Sequence, residues 1–239
     1  MDLTLDSILD IKIYQSKKGY RFSVDSLLLY DFVNLKLVHN IADLGAGSGI
    51  IGILLAKKYK RSKVVLIELQ ERLSKLAKKN VVINNLEERV EVLHSDIKLI
   101  SSSIKKHSDF DLVVSNPPFR KPLSGRINIE EERAIARHEM TISLEEIVNA
   151  ASYLLKEKGR FCLIYHPARL AELMIVLKQK YLEPKRICFV HSRINTESKM
   201  VMIEAVKGGK TGLKIEQPFF IYNVDGSYTQ EMKKIYGQI

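Results

Sequence analysis

Apolar residues along the chain cluster in short runs of five to seven, and from residue 40 onward these runs alternate with longer stretches whose apolar positions recur at helical spacing. The runs at 40–44 (NIADL), 64–68 (VVLIE), 90–94 (VEVLH), 111–115 (DLVVS) and 160–165 (RFCLIY) have the length and β-branched content of buried strands. Helices are predicted between them at 50–60, 71–85, 97–106 and 144–157, with another at 167–181. Strands that alternate with helices in this way build a parallel sheet covered on both faces. Two further apolar runs, 186–192 (RICFVHS) and 199–206 (KMVMIEAV), are joined by RINTES, too short a link for a helical crossover. They are expected to pair as an antiparallel hairpin. The predicted fold is therefore α/β, a Rossmann-like, seven-stranded, mostly parallel sheet with a C-terminal antiparallel hairpin and helices on both faces.

Outside this alternation, FSVDSLLLYDFV (22–33) reads as an amphipathic helix with its N-cap near Ser23 or Asp25. The segment 213–237 reads as a strand, an Asp-Gly turn and a helix-like tail. No composition shift marks a linker, so one domain over 1–239 is expected, with an N-terminal segment 1–39, a core 40–206 and an extension 207–239. No run approaches the roughly 20 apolar residues of a membrane span, and the N-terminus has no signal-peptide pattern. A cytoplasmic location is the expectation. Cys162 and Cys188 each fall inside an apolar run, which suits reduced core thiols and leaves no ligand set for a structural metal. Charge adds a partner class: 38 Lys and Arg against 28 Asp and Glu leave a net +10, a field that attracts polyanions.

Chemistry-bearing residues fall at the ends of the predicted strands. The first strand runs into DLGAGSGIIG (43–52), where glycines permit a tight turn and close backbone approach to a ligand. GSGIIG satisfies the dinucleotide pattern G-x-G-x-x-G, and Glu68 follows about 20 residues on, where an acidic side chain binds ribose hydroxyls. The longer string Asp43, Gly45, Gly47, Gly49 resembles the first motif of class I S-adenosylmethionine-dependent methyltransferases. That resemblance implies S-adenosyl-L-methionine as cofactor, with the glycine backbone along its amino-acid part, Asp43 orienting its ammonium and Glu68 on its ribose. In the same family the position of Asp96 accepts from the adenine amine, with Ile97 against the ring; Asp96 as a plain helix cap is the alternative.

The fourth strand ends in Asn116-Pro117-Pro118-Phe119. This string matches the [DNS]-P-P-[YFW] motif of methyltransferases that act on a planar sp² nitrogen, whose lone pair is shared with a π system. An acceptor pair made of the Asn116 side-chain oxygen and the Pro117 carbonyl would take both N–H groups of such an amine and favour a tetrahedral nitrogen. Two consecutive prolines hold that carbonyl without reorganisation, and Phe119 offers a face for an extruded base. The bland reading is a strand terminator with turn chemistry. YRFSVDSLLL (20–29), AIARHE (134–139) and KGGKTGLKI (207–215) resemble segments of the bacterial family of tRNA adenine-N6 methyltransferases that modify valine tRNA next to the anticodon. The resemblance implies a tRNA substrate; no metal and no membrane partner are expected, and the oligomeric state is left open with a monomer as the expectation. It places Phe22, Ser23 and Asp25 at the methionine end of the cofactor and Pro118, Arg120 and Lys121 toward the RNA; Arg133, Arg137 and His138 are expected to meet RNA phosphate or close over the flipped base, with a solvated helix salted by Glu130, Glu131 and Glu132 as the alternative. Methylation of a glutamine side chain in a translation factor, guanine-N2 methylation of RNA and a non-enzymatic RNA-binding protein are the competing readings.

Overall fold

A computed structural model describes residues 3–16, 24–100, 109–117 and 142–238. The chain opens with a hairpin of β1 (Leu3–Ile8) and β2 (Ile11–Ser16), followed by α1 (Val24–Phe32). Then come β3 (Asn40–Leu44), α2 (Ile50–Lys58), β4 (Lys63–Glu68), α3 (Glu71–Ile83), β5 (Val90–His94) and β6 (Phe110–Ser115). The remainder is α4 (Leu144–Leu154), β7 (Leu155–Tyr165), α5 (Leu170–Gln179), β8 (Leu182–His191), β9 (Ser198–Lys207), β10 (Lys214–Ile215), β11 (Phe219–Phe220) and α6 (Gln230–Ile235).

All seven expected strands lie in one sheet of order β8-β9-β7-β6-β3-β4-β5, and β10 and β11 add short parallel pairings along β8. Strands β3 to β7 run parallel, while β9 inserts antiparallel between β7 and β8. The two-residue periodicity of a strand sends alternate side chains to opposite faces. In β6, Leu112 and Val114 join one core layer with α1, α2 and α3, whereas Phe110 and Val113 join the other with α4 and α5. In β7, Cys162 and Ile164 divide from Phe161, Leu163 and Tyr165 in the same way. Both cysteines are buried free thiols, and burial pushes both up in pKa.

Some boundaries shift for local reasons. The helix expected over 144–157 stops at Leu154, and β7 begins at once, accommodating Lys158 at φ +62 before Gly159. The helix expected from 167 starts at Leu170, because Pro167 opens a 3-10 turn first. α1 begins at Val24, so Asp25 lies in its first turn and not at its cap, while Ser23 is outside the described residues. Of the helix expected over 97–106, the described residues hold the 3-10 turn Ile97–Leu99 and Ile100.

The hairpin β1-β2 lies in the part of the N-terminal segment, before the helix expected over 22–33, for which no element is predicted. It is held by α3: Asn80 Oδ1 accepts from Tyr14 N (2.7 Å) while its Nδ2 donates to Tyr14 O (3.1 Å). One turn later Asn84 treats Lys12 the same way, at 3.0 and 2.6 Å. Two helix side chains thus stand in for a partner strand, satisfying the outer edge of β2.

Candidate active site

β3 is flanked by β4 on one side and β6 on the other, and the connections leave in opposite directions from it. A crevice outside the carboxyl ends of these strands is where open α/β sheets place ligands. Of the side chains singled out from the sequence, Asp43, Glu68, Asp96 and Asn116 stand at or just beyond the ends of these strands.

On the β4 side the loop after β3 turns through Gly45, Gly47 and Gly49, all at positive φ (+72, +58 and +85). Backbone bonds from Gly45 N and Ala46 N to Ile67 O (2.9 and 3.0 Å) fasten the loop to β4. Glu68 is buried, and one of its oxygens accepts from Gly47 N while the other accepts from Gln70 N, each at 2.8 Å. A single carboxylate therefore ties the glycine loop to the start of α3. A Cβ placed on Gly45 would meet no atom within 4 Å, so space opens above the loop at that point. At Gly49 the reverse holds: a Cβ would lie 2.9 Å from Leu66 Cδ1, so this glycine serves packing between α2 and β4.

Asp43 is 1% exposed. Its Oδ2 accepts from Gly52 N at 3.0 Å, whereas its Oδ1 is buried without a hydrogen-bond partner. Burial raises its pKa to about 7, against the lowering effect of the Gly52 bond and with a further push from the charge of Glu68. An oxygen left in this state is a ready acceptor for a cationic donor brought to the loop.

Just beyond the end of β5, Asp96 is half-buried, accepts from Lys98 N at 2.9 Å and caps the 3-10 turn, as the cap reading expects. Ile97 is 3% exposed and packs into the core layer of α4.

On the other side of β3, Ser115 Oγ donates to Leu44 O at 2.8 Å, locking the end of β6 to the end of β3. Asn116 is half-buried and Pro117 buried immediately beyond. Asn116 Nδ2 donates to Ser26 Oγ at 3.2 Å, and Ser26, 1% exposed, is a member of α1. Pro118, Phe119, Arg120, Lys121, Arg133, Arg137 and His138 lie outside the described residues, as do Phe22 and Ser23.

Three contributors escaped the sequence reading. Ser26 and Ser115 are lone hydroxyls in apolar runs, and Asn80, fully buried in α3, donates to Ser48 O of the glycine loop at 2.9 Å while holding β2. Their shared signal is a polar residue at a position that periodicity assigns to the core.

Elsewhere, a cavity of about 640 Å³ opens at the far end of β6 and β7, lined among others by Asp111, Lys156, Arg160, Arg186 and Glu204. Several of its charges are paired within it: Lys156 with Asp111, and both arginines with the buried Glu204. Among the described residues no His, Cys, Asp and Glu cluster could hold a metal ion, and no helix is long and apolar enough to cross a membrane.

Comparison with known proteins places this geometry. The profile of the methyltransferase small domain family matches residues 21–181. A tRNA1(Val) (adenine(37)-N6)-methyltransferase of Porphyromonas gingivalis is 32% identical over 165 residues, and the match spans 68% of this chain and 63% of that protein's length. A protein of the same description from Shewanella sediminis is 29% identical over 222 residues, 90% of either chain. Among solved structures, a predicted O-methyltransferase from Agrobacterium tumefaciens superposes with a TM-score of 0.71 at 22% identity, over 90% of this chain and 96% of that one, a likeness of fold.

Proposed function

The chain belongs to the methyltransferase small domain family, and from that membership we propose that it transfers a methyl group from S-adenosylmethionine to N6 of an adenine in tRNA, next to the anticodon of valine tRNA. The observation that carries this reading is the pairing, across β3, of a glycine cradle with an orphaned buried acid on one side and an asparagine-proline strand end on the other.

The residues present fit the cofactor. Gly45 leaves open space over the loop, and Asp43 Oδ1 has no partner of its own, as an acceptor awaiting an ammonium would. Glu68, already fixed by Gly47 N and Gln70 N, keeps lone pairs for ribose hydroxyls, because each carboxylate oxygen can accept twice. Asp96, just beyond the end of the next strand, would accept from the adenine amine. The bound sulfonium supplies an already activated methyl, so the chain needs no nucleophile of its own.

What the protein contributes is the acceptor side. Asn116 Oδ1 and the Pro117 carbonyl accept the two N–H groups of the exocyclic amine, drawing its lone pair out of the ring and toward the methyl. Held by the glycine loop, Asp43 and Glu68, the cofactor would supply the methyl as an electrophile, and the amine nitrogen that accepts it would lose its proton to solvent. Acceptors fixed in advance are worth more than the same groups in water, which must reorganise. Affinity for the tRNA backbone follows from the net charge of +10. The relatives named above are described as adenine-N6 enzymes of valine tRNA, which supports adenine over guanine or glutamine.

The test is incubation of the protein with labelled S-adenosylmethionine and an unmodified valine tRNA transcript, with nucleosides resolved by mass spectrometry. N6-methyladenosine that is lost with Asn116→Ala is expected. Label entering only a protein glutamine or guanine would overturn the substrate, and tight binding of NAD without binding of S-adenosylmethionine would overturn the reaction.

A further inference from the structure

Resting on that reading of the site, we infer that Ser26 is a positioning residue: it holds the Asn116 amide by its nitrogen so that the oxygen is presented to the acceptor amine. A primary amide is nearly symmetric in shape and opposite in hydrogen-bonding character at its two ends. Turned over, Asn116 would meet an incoming N–H with an N–H of its own, and the strand end would repel the substrate it is meant to polarise. Nothing within an isolated Asn-Pro-Pro string chooses between these orientations.

The choice is made from α1. Asn116 Nδ2 donates to Ser26 Oγ at 3.2 Å, and the two residues are 90 positions apart in the chain. Pinning the nitrogen toward α1 turns Oδ1 to the other side of Cγ. Ser26 is itself immobile: it is 1% exposed, and the three residues after it, Leu27, Leu28 and Leu29, are all fully buried in the core layer shared with α2. Ser115, the neighbour of Asn116, is fixed from the other direction by its 2.8 Å bond to Leu44 O. Backbone and amide of the strand end are thus set by two separate serines, one for place and one for orientation. In this arrangement the hydroxyl accepts from Nδ2 and carries no charge of its own.

The inference is tested on the full chain in two arms. In the first, selective ¹⁵N-asparagine labelling follows the side-chain NH₂ signals, with that of Asn116 assigned by its loss in Asn116→Asp. Slowed proton exchange of this NH₂ is expected in the native protein and in Ser26→Thr, and fast exchange in Ser26→Ala. In the second, single-turnover methylation of the valine tRNA transcript is measured beside S-adenosylmethionine binding. Ser26→Ala is expected to lower the methyl-transfer rate on the order of tenfold, the effect of losing one ordinary hydrogen bond, with cofactor affinity unchanged and Ser26→Thr restoring the rate. In the Asn116→Asp background the effect of Ser26→Ala should vanish, because a carboxylate offers an acceptor oxygen whichever way it turns. Fast exchange of the native Asn116 NH₂, or an equal loss from Ser26→Ala in both backgrounds, overturns the inference. Absence of methylation by the native protein overturns the proposed function instead, and the exchange arm still decides the role of Ser26.

Discussion

Asn80 donates its side-chain amide to the carbonyl of Ser48 at 2.9 Å, so a residue in the middle of α3 supports the apex of the glycine loop from below. The same side chain accepts from Tyr14 N and donates to Tyr14 O, joining loop and N-terminal hairpin through one buried group. Replacing it by alanine would strand backbone groups on both. Asn80→Ala is expected to lower stability by about 2–3 kcal/mol, the cost of leaving buried partners unpaired, and to weaken S-adenosylmethionine binding as the loop loosens. Thermal denaturation and calorimetric titration check the two effects; a stability loss with unchanged affinity would disconnect hairpin from loop.

Two glycines of the same loop should fail in different ways. Alanine at Gly45 meets open space, so Gly45→Ala is expected to cost only about 1 kcal/mol for its positive φ but to place a methyl where the cofactor lies, raising Kd at least tenfold. Alanine at Gly49 drives into Leu66, so Gly49→Ala is expected to lose more stability, about 2–3 kcal/mol once overpacking is added to the φ cost. Denaturant unfolding and cofactor titration on both variants separate the two outcomes.

The buried carboxyl of Asp43 gives the ligand-free protein a pH signature. Its folded pKa of about 7 lies above the unfolded value of 3.8, so between these limits the folded state binds a proton that the unfolded chain has lost. Stability from this group therefore falls as pH rises from about 4 to about 7 and levels off above. An ammonium beside Oδ1 favours the carboxylate, so cofactor binding at pH 6 should expel a proton. Calorimetry at pH 6 in two buffers of different ionisation enthalpy reads that proton directly, and Asp43→Asn should abolish the difference between them.

Glu204 offers a control remote from the crevice. It is 3% exposed and pairs with Arg160 and Arg186, the latter also stacked over Phe32 with 4.1 Å from guanidinium carbon to ring centre. Glu204→Ala leaves two guanidiniums short of a partner and should cost about 3 kcal/mol of stability. Methyl transfer per folded molecule should be unchanged when assayed below the melting transition.

How far the sequence could be read depended on whether a residue's role is local. The strands of the central sheet announce themselves as continuous apolar runs because both faces are covered, and Asp43, Glu68 and Asn116 stand out as polar residues where those runs stop. The hairpin β1-β2 was missed because its turn is made by Leu9 at φ +52, without the glycine or asparagine that normally marks such a turn. Its edge is capped by Asn80 and Asn84, 66 and 72 positions away, a relationship that no periodicity carries. Ser26 escaped for the same reason: its meaning lies in a residue on another element. β10 and β11, of two residues each, exist only because β8 offers them an edge.

The position of β3 has a consequence during synthesis. β3, β4 and β5 emerge in order and can pair as soon as residue 94 is made, yet the other side of β3 waits for β6, and the bond that closes it, Ser115 to Leu44, spans 71 positions. For that interval β3 keeps an unpaired backbone edge beside the apolar Ile41, Ala42 and Leu44, the kind of surface that recruits wrong partners. The strand around which the crevice is organised is therefore also the nascent chain's most exposed liability, and a chaperone that follows this protein off the ribosome would be needed most between residues 94 and 115.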